Sequence, residues 1–167
     1  LAALPGFATS VRITLATGFA ATALSFLLAM GFCAWAWKRP LARRVGAWLA
    51  PVLATPHSAL ALGLAFLIAP SGWALRALSP WATGLDLPPD VATVGHPSGA
   101  ALVLGLVVKE VPYLVLMTTG ALSQVRADEA LAVSRSLGYG RAATWFKVIV
   151  PQVYPQLRLP VYAVLAF

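Results

Sequence analysis

The chain is 167 residues long, 60% hydrophobic and 10% charged, with twelve Lys and Arg against five Asp and Glu, for a formal net charge of +7. That balance, with a strongly positive mean hydropathy, fits a soluble globular domain poorly and points to an integral membrane protein. The single cysteine, Cys33, excludes an internal disulfide or a Cys-based metal site.

No charged residue lies between Ile13 and Trp37, or between Val45 and Leu75. At about 1.5 Å per residue each stretch can cross a hydrocarbon core of about 30 Å. The expected first and second spans are 13–37 and 45–68. Small residues crowd both: Ala16, Thr17, Gly18, Ala20, Ala21, Thr22, Ala23 and Ser25, then Ala59, Ala61, Gly63 and Ala65. They allow the close backbone approach by which helices associate in lipid. Pro51 and Pro56 remove backbone donors from the second span, so kinks are expected there. His57 and His96 lie on different elements without a ligand pattern. His57 reads as a packed polar residue, and no metal site is expected.

From Pro70 to Ser98 the chain is rich in proline. Trp73, Ala77 and Leu78 share one face of a short helix and Trp81 follows Pro80, a pattern suited to a membrane–water interface. This connection either contacts a partner or simply caps the bundle. A third span, about 99–121, carries Lys109 and Glu110 near its middle, followed by Pro112. A charge at such a depth costs about 2.5–3.5 kcal/mol on the lenient insertion scale. The pair therefore marks either a pathway or gate, or a tether to a neighbour such as His57. Being adjacent, the two side chains are turned about 100° apart on a helix and cannot both face one partner squarely. Lys109, Glu110, Pro112 and His57 are the candidate pathway or gate residues.

The polar stretch from Gln124 to Pro155 is long for a simple connection between spans. Good helix formers run from about Ala127 to Leu137, Gly138-Tyr139-Gly140 interrupts them, and a second helical run begins at about Arg141. Pro151 is expected to close that run, and a fourth span to start near Gln156 and be cut off at Phe167. The expectation is one transmembrane domain over 1–167, incomplete at both ends, with no signal-peptide pattern at its start.

Positive charge marks the cytoplasmic side of a membrane protein. Lys38-Arg39-Pro40-Leu41-Ala42-Arg43-Arg44 carries four basic residues and no acid, and 124–155 carries Arg126, Arg135, Arg141 and Lys147 against Asp128 and Glu129. The 70–98 connection has only Arg76 against Asp86 and Asp90. Both basic connections are thus expected inside and the proline-rich one outside. The net charge reflects topology, so nucleic acid is not an expected partner.

With its register anchored on Gly138, the 124–155 stretch resembles the signature of the inner-membrane permease subunits of type I, binding-protein-dependent ABC importers. That signature reads E-A-A, three residues, G, nine residues, I-x-L-P. Arg135-Ser136-Leu137-Gly138 matches the run into the glycine, Val148 and Val150 stand for the Ile and Leu, and Pro151 falls on the proline. Val11-Arg12-Ile13-Thr14-Leu15 resembles the start of a core helix in the family. Pro70–Trp81 and Lys109-Glu110-Val111-Pro112 look most like a group of these permeases with two fused halves. The E-A-A positions are Ala132-Val133-Ser134 here, so the signature glutamate is missing. Glu129, three residues earlier and on the same helical face, is the candidate substitute.

The resemblance implies an all-α polytopic bundle in the bacterial inner membrane with a cytoplasmic two-helix coupling loop. It implies as partners a cytoplasmic ABC ATPase, an extracytoplasmic substrate-binding protein, a second permease half in the same or another chain, and the bilayer. The implied ATPase-coupling residues are Glu129, Ala132, Val133, Ser134, Arg135, Leu137, Gly138 and Pro151. No cofactor is implied. The chain has no G-x-x-x-x-G-K-[ST] phosphate loop, so ATP hydrolysis is expected on a partner. No nucleophile–base set points to an enzyme. The rival reading is an ion-coupled secondary transporter or channel subunit, with Lys109 and Glu110 in a relay.

Overall fold

A computed structural model describes residues 6–37, 39 and 41–166, with the backbone alone for 41–44. Of the basic connection, Lys38, Pro40 and the side chains of Arg43 and Arg44 lie outside the described residues, as does Phe167. Every regular element among the described residues is helical: α1 (Phe7–Ala36), α2 (Leu41–Ala54), α3 (His57–Ile68), α4 (Trp73–Leu78), α5 (Ala100–Gln124), α6 (Ala127–Ser136), α7 (Arg141–Thr144) and α8 (Val150–Ala166). Three stretches are long and apolar enough to cross a membrane: Phe7–Ala36, His57–Leu78 (α3 and α4 with the turn between them) and Ala100–Gln124.

The longest helix contact is between α1 and α5. Thr17, Ala21, Ser25, Ala29 and Cys33 recur at every fourth residue of α1, and all are buried. That spacing lines small side chains along one face, so the α5 backbone can approach closely. The hydroxyls do not obstruct this. Thr17 donates to the Ile13 carbonyl and Thr22 to that of Gly18, each at 2.8 Å, and on α5 the buried Thr118 donates to Leu114 at 2.7 Å. α8 packs on both α1 and α5, bringing Val153 and Leu157 against the same core as Met30, Leu114 and Leu122. The outward faces are as apolar as the interior: Phe19, Leu27, Leu62, Phe66 and Leu102 are all more than half exposed. A surface of this kind is built to face something apolar rather than water.

Two expectations from the sequence are corrected. The second apolar run is not one helix over 45–68, because it stops at Ala54 and restarts at His57. Pro56 disfavours helical geometry at Thr55 and itself takes an extended conformation (φ −58°, ψ 144°) before α3 begins. Nor does Pro151 close the run that begins at Arg141. α7 passes through a π-helical turn, Trp145–Ile149, directly into α8. A proline ring collides with the carbonyl four residues before it and donates no hydrogen bond. The widened turn, closed by Val150 N–H to Trp145 O, lies over that stretch, so the helix continues past Pro151. Residue 155 is therefore no boundary, and the helix expected from about 156 begins well before it. The other ends move only slightly, with α1 starting at Phe7 and α5 running to Gln124.

Candidate functional site

The break between α2 and α3 lies beside the ionisable pair of α5. In a continuous helix the Val52 carbonyl would accept from the N–H four residues later, but that residue is Pro56, which has none. Leu53 and the residues after it lose their partners because the helix ends. The Lys109 ammonium takes their place. Its Nζ donates to the carbonyls of Val52 at 2.9 Å, Leu53 at 3.0 Å and Thr55. These three bonds use all three ammonium donors. The cation also sits at the negative end of the α2 dipole.

Glu110 turns to the other half. Its Oε1 lies 3.3 Å from Nε2 of His57, the first residue of α3, with the imidazole N–H donating to the carboxylate. A negative charge is favourable at a helix start. The turn of about 100° between adjacent residues thus sends each charge to a different half-helix. Lys109 and Glu110 are both buried, and Pro112 is buried two residues on. The tether to His57 is present, while His57 itself is half exposed rather than packed. The three backbone acceptors of Lys109 were not anticipated. The available signal was Pro56 four residues after Val52, combined with a lysine in an apolar run.

A second constellation stands where α1 and α5 both end. α6 stops in a left-handed turn: Gly138 has φ +82°, its N–H donates to Arg135 O, and the Tyr139 N–H donates to Ser134 O, each at 3.0 Å. This is the six-to-one and five-to-two bonding that closes a helix with glycine just past its end, and a β-carbon would resist that φ. α7 then starts at Arg141, whose Nη2 donates to the Trp37 carbonyl at the end of α1 at 3.0 Å. The buried Trp145 ring lies 6.2 Å from that of Trp37, centroid to centroid. The sequence expectation of a helix, a turn at Gly138 and a second helix from Arg141 holds.

Within this unit Ser134 points inward, donating to the Ala130 carbonyl at 2.7 Å. Ala132, Val133, Arg135, Leu137, Gly138 and Pro151 are exposed. Glu129 is exposed and accepts from Arg126 at 3.4 Å. Val133, Leu137 and Tyr139 leave an apolar face open at the turn. At the opposite end of the bundle, Trp73 and Trp81 are among the most exposed side chains. Among the described residues no three His, Cys, Asp or Glu side chains gather to hold a metal ion. No family model, curated protein or solved structure matches the chain.

Proposed function

We propose that this chain is a multi-pass permease subunit of an ATP-driven importer in a bacterial inner membrane, forming part of the translocation pathway and driven by a separate ATPase. The observation that carries the reading is the α6–turn–α7 unit. It has the signature's spacing around Gly138, is anchored to α1 through Arg141 and to the core through Trp145, and leaves Val133, Leu137 and Tyr139 uncovered. A compact unit of this kind can transmit a push from a partner to α1, α5 and α8 as one body. The chain has no phosphate loop, so the push must come from outside it. A binding protein would deliver cargo on the far side, near α4, and a second half would complete the pore.

An ion-coupled transporter or channel is the other reading, favoured by the broken helix beside Lys109 and Glu110, since such breaks bind coupling ions in secondary transporters. The saturation of Lys109 by three carbonyls speaks against it, because a relay needs a group free to exchange partners. Co-purification of the full-length protein from its native membrane tests the choice. A stoichiometric ATPase subunit, with ATP-dependent uptake after reconstitution, is the expected result. Uptake driven by an ion gradient without ATP would overturn the importer reading.

A further inference from the structure

We propose that the break at Thr55–Pro56 is a hinge, with Lys109 its fixed post and the Glu110–His57 contact a releasable latch on a swinging arm made of α3 and α4. This proposal does not depend on the importer reading. Among the described residues, no backbone hydrogen bond joins α2 to α3, so the backbone itself offers little resistance to bending there.

The two halves are held unequally. α2 is fixed to α5 by the three bonds of a Lys109 that is only 7% exposed. At this end of α3 Glu110 reaches a His57 side chain that is 51% exposed, over 3.3 Å, long for a charge-assisted hydrogen bond. No described side chain of α2, α3 or α4 is buried, whereas α1, α5 and α8 share one core, so the difference between the two halves lies in their polar ties to α5.

The arm moves as a unit because the turn inside it is tight. The Gly72 N–H donates to Ala69 O at 2.7 Å, and a β-carbon on Gly72 would run into the Phe66 carbonyl oxygen. Between α3 and the first half of α5 lies a cavity of about 510 Å³, walled by Leu64, Ile68, Leu102 and Leu106, with His57 and Lys109 at its inner end. Release of the latch lets α3 swing about Thr55–Pro56 and changes the width of this cavity while α2 stays in place.

Pulsed electron–electron distance measurement on the full-length protein in liposomes tests this, with Cys33 replaced by alanine. Spin labels at Leu62 and Leu102 report the arm, and labels at Trp48 and Leu116 report α2. All four positions are exposed. His57→Ala should raise the ratio of long to short arm distances about tenfold, the shift one charge-assisted hydrogen bond supports, and leave the α2 distance unchanged. His57→Gln, which keeps an N–H donor, should stay close to wild type. Lys109→Met, or Lys109→Gln if the first does not insert, should shift the α2 pair. An arm distribution unmoved by His57→Ala, or equal shifts of both pairs in that variant, would overturn the latch. An α2 pair unmoved by loss of Lys109 would overturn the post.

Discussion

Replacing Lys109 by methionine keeps length and apolar bulk but removes every donor from the end of α2. Three carbonyls, those of Val52, Leu53 and Thr55, then lose their partner. Hydrogen bonds to a charged group contribute about 1.5–3 kcal/mol each, yet the three share one ammonium, and methionine also avoids the cost of burying a charge. The net effect therefore lies near one to two of these charge-assisted hydrogen bonds, about 2–4 kcal/mol. Reversible unfolding in mixed micelles, followed by tryptophan fluorescence and circular dichroism, measures it. Lys109→Arg retains donors and should lose clearly less. A Lys109→Met loss of under about 1 kcal/mol would mean that water or lipid headgroups satisfy these carbonyls as well as lysine does, and would refute the reasoning.

Pro56→Ala should restore an N–H four residues after Val52, and in a Lys109→Met background it should recover roughly 1 kcal/mol of the loss, the value of one net hydrogen bond; no recovery in the same unfolding assay would show that the proline is not what orphans Val52. Gly138→Val meets nothing within 4 Å of its β-carbon, so its effect is confined to the backbone, about 1–2 kcal/mol for a left-handed residue. The variant should still insert but lose coupling between ATP hydrolysis and transport, and wild-type uptake in reconstituted vesicles would contradict the coupling role. Glu129→Gln removes only an exposed pair with Arg126 worth about 0–1 kcal/mol; unfolding should not change, while ATPase pull-down should weaken a few-fold at low salt and less at high salt. Equal binding by wild type, Glu129→Gln and Glu129→Lys at low salt would show Glu129 to be merely solvated.

Local patterns in the sequence already showed that the long apolar segments are helical and how α6 ends. The alternation of helix formers with Gly138-Tyr139-Gly140 suffices for that turn, because its hydrogen bonds run between residues at most five apart, from Tyr139 back to Ser134. The small residues of α1 likewise indicated close helix packing, although not which face would be buried nor that α5 would fill it. The 45–68 run read as one span because hydropathy does not sense a missing N–H, and a proline in an apolar segment signals a kink as readily as a break. Pro151 read as a terminator for a related reason: whether a helix passes a proline depends on room for the displaced carbonyl, and here a π-helical turn provides it while Trp145 and Ile149 are seated in the core.

The charges show the division most clearly. That Lys109 and Glu110 needed partners followed from sequence alone, since an unpaired charge in an apolar helix is costly, and so did their pointing in different directions. Which partners they found was a tertiary matter. Lys109 meets carbonyls up to 57 residues away in the chain, and those acceptors exist only because α2 stops where it does. The polarity of two half-helix ends, negative at Leu53 and positive at His57, sorts the adjacent cation and anion between them. Only the folded chain brings those ends to the middle of α5.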